Sequence, residues 1–492
     1  MVPHPVSPAV LSPRPLVNAQ GLPSDAATTA PGALGFLASP YARTGCTLAG
    51  ALVFGPLWTS RPVTLPVVSP TIGRVLIVAV ATMLLLDLVR ARPAFPAAPR
   101  AAKLFGGSLV LLGVWIAVSA AGWGCGCVAG LAGYVEVAAI GILALAVCVL
   151  EPRFRLVLIV AAATGAAVAA GLAATGLGPI WREGAPASTN DGRLAGTYGN
   201  PNELGYAVAF AIPVLVALIL RGSWRLRALL TGPLVVVAGV LLVTFSRSAL
   251  LAAAAGSVAV VALNSRGRRD ALTRVAVVAV VLGVVSTLLY PTYQEARASA
   301  SFGPPRFLPD AFTPPPRTET APEPTGEPEP IGEPRRNAGP EPTSEPPPAI
   351  DPERLYVRSR LDGAELAVDS FVSNPIAGIG WDDFQLEADA KLPYGRLATH
   401  NDYLRVAAEL GLPGLALLGA LGVALIMGVR ASDDALLRAS AGGVLATGAL
   451  NLAFINAIVL STATLPLVVA GAVVCATCAR GPTRDHHVVS EG

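Results

Sequence analysis

Runs of roughly 17 to 25 apolar residues recur along this chain and constrain its fold more than any other feature. They fall at about 44–60, 72–89, 104–121, 127–150, 156–176, 203–220, 229–245, 248–264, 275–290, 402–427, 438–456 and 457–478. In lipid, a segment of that kind has to satisfy its own backbone hydrogen bonds, which an α-helix does. The composition agrees: 53% of the 492 residues are AVILMFWYC and 14% are charged, where a soluble domain carries about 25% charge. The mean hydropathy is +0.60. The expected fold class is an all-α polytopic membrane protein of about 12 transmembrane helices, with a large outer loop between the ninth and tenth. The first run is the most dilute, because Pro56, Trp58 and nearby glycines interrupt it.

Short loops rich in arginine and lysine are retained in the cytoplasm. One alternate set of loops holds fifteen basic residues, among them Arg90, Lys103, Arg153, Arg221, Arg268, Arg274, Arg430 and Arg438; the short loops of the other set hold only Arg61, Arg182, Arg193 and Arg247. That asymmetry predicts a multi-pass protein of the cytoplasmic (inner) membrane with both termini cytoplasmic. It divides the chain into a disordered tail at 1–43, helices one to nine within 44–290, an outer loop at 291–401, helices ten to twelve within 402–478, and a second tail at 479–492. Within the outer loop, residues 303–352 include seventeen prolines and six Glu-Pro dipeptides. A stretch of that composition cannot bury a core and is expected to be extended, as a tether or a tolerated insertion. Residues 353–399 return to a helix-forming pattern, and one or two amphipathic helices are expected there.

Several function classes are excluded or disfavoured. A net charge of +3 gives no overall footprint for nucleic acid. Six cysteines are too few for a disulfide scaffold, and no Walker loop or dinucleotide fingerprint is present, so no cofactor is expected. Asp382-Asp383 has no companion ligands at metal spacing, and Cys475-x-x-Cys478 reads as two small core residues. No metal site is expected.

The polar residues must then carry any chemistry. Three of the four histidines, His4, His486 and His487, lie in the tails; His400 stands where the outer loop meets the tenth span. It reads either as a solvated loop histidine or as a general base at the membrane surface. Arg247 lies in Thr244-Phe245-Ser246-Arg247-Ser248, between two strongly apolar spans. It either snorkels to lipid headgroups or clamps an anion in a bidentate fork. Arg182, Arg193, Arg358 and Arg360 are further outer-side cations, which read as part of a positive cleft or as ordinary surface charge. Glu136 within the fourth span reads either as part of a proton path or as a buried carboxylate with hydrogen-bond partners, and Asn451 and Asn456 near the end of the chain read as interhelical hydrogen-bonding residues.

Four segments, in order, resemble the O-antigen ligase and O-antigen polymerase superfamily of membrane glycosyltransferases. They are Gly196 to Gly205 (GTYGNPNELG); Thr244 to Leu251 (TFSRSALL); Ser359-Arg360 leading to Asn374 to Gly380 (NPIAGIG); and His400-Asn401 followed, after nine residues, by Gly411-Leu412-Pro413-Gly414. The resemblance implies transfer of a glycan from a polyprenyl-pyrophosphate donor to an acceptor hydroxyl at the outer face of the cytoplasmic membrane, inverting and without a metal. It implies that His400 is the base, that Arg247 holds the donor, and, less closely matched, that Arg193 and Arg360 assist. Asn401 would orient His400 or the acceptor, and Gly411 and Gly414 would let their helix pack closely. The implied partners are a lipid-linked glycan donor, a glycan or lipid acceptor and membrane lipids; protein partners are not indicated. Two other readings stay open at this point: a polysaccharide polymerase of the same superfamily, and a twelve-span solute transporter, which would show internal repeats and midplane polar residues. A non-catalytic envelope scaffold is a third.

Overall fold

The computed structural model describes residues 41–58, 72–91, 98–123, 128–175, 201–244, 246–265, 267–276, 352–392, 399–454 and 464–477. Among them every regular element is helical: α1 (Ala42–Trp58), α2 (Ile72–Ala91), α3 (Arg100–Trp123), α4 (Val128–Leu150), α5 (Phe154–Thr175), α6 (Pro201–Arg221), α7 (Trp224–Val243), α8 (Arg247–Leu263), α9 (Pro352–Ser373), α10 (Phe384–Lys391), α11 (Asp402–Ala431), α12 (Ala435–Leu452) and α13 (Leu465–Cys475). Residues 268–276 are also helical. Helices α1 to α8 and α11 to α13 fall on eleven of the expected apolar runs. The run at 275–290 beyond Ala276, the proline-rich block and both expected tails apart from residues 41–43 lie outside the described residues. Six of the helices, α3 to α7 and α11, are long and apolar enough to cross a membrane.

Helix ends follow local chemistry. Pro201 opens α6, where its missing N–H is no loss, and Glu203 complements the positive helix end. The Asp434 carboxylate accepts from the Leu436 and Leu437 amides at 2.9 and 3.1 Å and starts α12.

Helix α6 is the central post: 72% of its most apolar window is buried, against 17% for α7. It packs against α5, α7, α8 and α12, whereas α7 turns Leu229, Val235 and Val236 outward, the side that lipid would cover. Helices α8 and α12 run antiparallel in close contact. Gly256 lies against Gly443 and Thr447, and Leu263 reaches Gly442; a side chain at Gly256 would stand 2.7 Å from the Gly443 carbonyl. Small residues of this kind let two backbones approach where lipid supplies no hydrophobic drive. Because the pair is antiparallel, Arg247 at the start of α8 shares one end of the bundle with the last turn of α12.

The loop after the proline-rich block forms two helices, α9 and α10. Leu366, Ala367, Phe384 and Ala388 bury themselves against Ala408 of α11, so this region is docked onto the bundle through α11.

Candidate functional site

One departure from the expected continuous tenth span builds the site. Helix α11 breaks at Gly411, where φ is 63° and ψ is −158°, a region open essentially only to glycine. Pro413, two residues on, cannot donate to the helix and its ring would clash with the Glu409 carbonyl in a straight one. The break frees three carbonyls, and each finds a donor from elsewhere. The Ala408 carbonyl accepts from Ile379 N at 2.9 Å and the Glu409 carbonyl from Gly380 N at 3.2 Å. The Leu410 carbonyl accepts from Trp115 Nε1 of α3 at 2.9 Å. In return the Leu412 amide donates to Pro375 O at 2.8 Å. The segments NPIAGIG and GLPG therefore form one joint, in which a Cβ on Gly378 would overlap the Glu409 carbonyl and one on Gly411 would stand 2.5 Å from the Ile376 carbonyl. The close approach expected of Gly411 is made to the 374–380 turn, and it requires the break.

That joint fixes α9, which carries Arg360, relative to α11, which His400 precedes. His400 has a φ of +49°, a left-handed conformation that histidine adopts more readily than most residues. It is held on both sides: Thr399 Oγ1 donates to the Asn401 carbonyl at 3.1 Å, and Asn401 Oδ1 accepts from Leu404 N at 3.1 Å as the N-cap of α11. Burial, then the Arg360 cation, lowers the His400 pKa from 6.5 to about 4. The imidazole is thus neutral at physiological pH. Asn401 spends its side-chain oxygen on the cap, and its Nδ2 makes no hydrogen bond among the described residues. Tyr403 OH donates to Ala449 O at 3.0 Å, which puts the start of α11 beside the last turn of α12. His400, Arg360 and Arg247 therefore lie at the same end of the bundle.

Arg247 is the first residue of α8 and is exposed. Among the described residues it makes no hydrogen bond or ion pair, and the preceding Ser246 provides no side-chain cap. A cation beside uncapped amides at the positive end of a helix is electrostatically misplaced unless an anion is present. Around it Tyr206 OH and Ser248 Oγ share a hydrogen bond of 2.6 Å, and a side chain at Gly205 would meet Thr244 Oγ1 and Ser246 Cβ at 3.0 Å. The GTYGNPNELG and TFSRSALL segments are thus packed on each other. Arg182 and Arg193 lie outside the described residues, as does the Arg358 side chain.

A buried charge cluster went unrecognised in the sequence. Arg405 donates through Nε to both carboxylate oxygens of Glu409 at 3.1 Å and through Nη2 to Asp382 Oδ1 at 2.7 Å, with its guanidinium 5.4 Å from the Trp381 ring centroid. Asp382, weighed above as half of a metal pair, instead ties the 374–383 segment to α11. The overlooked signal was Arg405 and Glu409 four residues apart on an apolar span, where charges survive only when paired. Asn451, expected to bond between helices, is buried, and among the described residues neither of its amide atoms has a partner. Cys475 donates from a buried thiol to Ala424 O at 3.3 Å, consistent with a core residue.

These features define a polytopic, all-helical membrane protein with a histidine and two arginines gathered at one end of its bundle. The family model described as O-antigen ligase matches residues 232–419. The match spans Arg247, Arg360, the 374–380 turn, His400 and the Gly411 break, and it leaves out the segment from Gly196 to Gly205. Residues 232–419 are therefore similar to the O-antigen ligase family, which supports the resemblance to the O-antigen ligase and polymerase superfamily. A comparison with curated proteins returned no match.

Proposed function

We propose that the protein transfers a glycan from a polyprenyl-pyrophosphate donor to an acceptor hydroxyl at the outer face of the cytoplasmic membrane, with inversion and without a metal. The observation that carries this reading is the neutral, part-buried His400 beside Arg360, at the bundle end that also holds the uncommitted Arg247. The acceptor oxygen attacks the anomeric carbon while its proton passes to the His400 imidazole. The bond from that carbon to the phosphate oxygen breaks, and the electron pair leaves on the lipid pyrophosphate. A positioned base contributes about 10²- to 10⁴-fold. The leaving group needs charge neutralisation, which Arg247 and Arg360 supply from a partly dehydrated surface. A bound pyrophosphate would offset the Arg360 charge and raise the basicity of His400 when the donor is in place.

The test is turnover of a lipid-linked glycan by the purified protein in lipid, with a lipid acceptor and a second lipid-linked glycan offered separately, since the acceptor distinguishes ligase from polymerase. His400→Ala should insert and fold yet lose transfer to both. Arg247→Lys keeps the charge but not the fork, and its turnover should fall at least about tenfold. Undiminished turnover in the first variant refutes the base, and in the second the donor clamp. Chelation should leave the wild-type rate unchanged; a loss would refute metal independence.

A further inference from the structure

At the end of the bundle opposite His400, separated from it by the α12 helix of 18 residues or about 27 Å, several helix ends converge. Arg221 closes α6, Asn264 and Ser265 follow α8, Arg274 lies in the helical stretch 268–276, and Arg438 stands in the first turn of α12. With Leu263 they line a pocket of about 410 Å³, the size of a small-molecule site.

Two of the three guanidinium groups here, those of Arg221 and Arg438, are oriented by neutral acceptors. Arg221 Nε donates to Asn264 Oδ1 at 2.6 Å, while Asn264 Nδ2 donates to Val260 O at 3.1 Å and is fixed in turn. Arg438 Nη1 donates to Ser432 O at 3.1 Å. Each of these two arginines spends one of its five N–H donors and none of its charge. Among the described residues neither Arg221 nor Arg438 forms an ion pair. Arg274 is paired with Asp270 at 2.7 Å, and the nearby Asp434 carboxylate caps α12.

Retention of basic loops on one side of a membrane accounts for arginines that face solvent separately, as Arg90, Arg268 and Arg269 do. It does not account for two guanidinium groups held by uncharged partners around a shared concavity. Oriented forks with unspent donors and uncompensated charge match the oxygens of a phosphate group.

We propose that this pocket binds a phosphate group, carried either by the headgroup of an anionic membrane lipid or by a soluble phosphate. The site is distinct from the His400 end and does not depend on its chemistry. The test uses the full-length protein purified in detergent, with bound lipid read by native mass spectrometry and stabilisation by thermal unfolding. Probes are phosphatidylglycerol, phosphatidylcholine and inorganic phosphate. Phosphatidylglycerol should be retained in preference to phosphatidylcholine, and the double variant Arg221→Gln/Arg438→Gln should weaken that retention about tenfold or more. Arg90→Gln/Arg268→Gln, with the same loss of charge outside the pocket, should not. Arg221→Lys/Arg438→Lys preserves insertion and charge, so severalfold weakening there separates recognition from topology and folding. Stabilisation by inorganic phosphate without selective lipid retention, lost in the same pocket variants, supports the site with a soluble ligand. Binding of every probe that is indifferent to the pocket variants, or equally reduced by the control pair, overturns the proposal.

Discussion

Replacing Gly411 with alanine tests the joint that places Arg360 beside His400. An alanine at φ 63°, ψ −158° carries backbone strain of about 1–3 kcal/mol. Its Cβ would lie 2.5 Å from the Ile376 carbonyl oxygen and 2.8 Å from that of Pro375. Both are backbone atoms that no rotamer change can move, so the 374–380 turn must retreat by roughly an ångström to restore ordinary contact. The Gly380 N to Glu409 O bond, already 3.2 Å, then exceeds hydrogen-bonding range, while those from Ile379 N at 2.9 Å and Leu412 N at 2.8 Å lengthen. Losing one or two such bonds costs about 1–2 kcal/mol, for a total of about 2–5 kcal/mol against a typical stability of about 5–15. Gly419, on the same helix, is the control: nothing lies within 4 Å of its Cβ position, and alanine there gains up to about 1 kcal/mol of helix propensity. The assay is thermal unfolding in detergent followed by near-UV circular dichroism, because Trp115 and Trp381 both sit at the joint. Gly411→Ala should melt several degrees lower and lose glycan transfer, while Gly419→Ala melts at or above wild type. Equal melting of the two variants would refute the closed joint.

Arg405→Met strands the Glu409 carboxylate, which is 1% exposed, and should cost about 3–5 kcal/mol; Glu409→Gln leaves Arg405 with Asp382 and should cost less, an ordering that denaturant titration checks. Folding lowers the His400 pKa from 6.5 to about 4, so between those values the unfolded chain binds more protons and stability falls as pH drops through the window. In histidine NMR, the His400 imidazole should stay neutral at pH 5, and Arg360→Gln should move its midpoint upward, with burial still holding it below 6.5. Asn451→Leu removes two buried polar atoms that have no partner among the described residues, so unfolding should show a melting point equal to or above wild type; a marked fall would mean that the amide is satisfied by another group, a water or a ligand.

Eleven of the helices were legible because hydropathy is a local property: an apolar run of sufficient length becomes a helix whatever its neighbours are. The break in α11 was not legible by the same route. Residues 402–427 are uniformly apolar enough to read as one span, and Pro413 alone suggests no more than a kink. What opens the helix at Gly411 is the arrival of another segment, residues 374–380, with two amides for the freed carbonyls. That event depends on a partner about thirty positions away, beyond the reach of a hydropathy window.

The candidate site shows the same division between composition and placement. His400 could be picked out because histidine is rare here, and Arg247 because arginine is costly beside lipid. Which cation acts on the imidazole was hidden, since Arg360 on α9 and His400 ahead of α11 are brought together through the joint between the 374–380 turn and α11. Under the proposed function, the same Arg360 charge that disfavours the imidazolium would attract the donor pyrophosphate, and the bound anion would in turn make imidazolium formation easier. Basicity would then rise only when the leaving group is present, so the base would be called upon at the moment when it can act. If so, donor binding and His400 protonation are linked, and a non-hydrolysable donor analogue should raise the His400 midpoint in wild type and lose that effect in Arg360→Gln; an analogue that binds tightly without moving the midpoint would break the link.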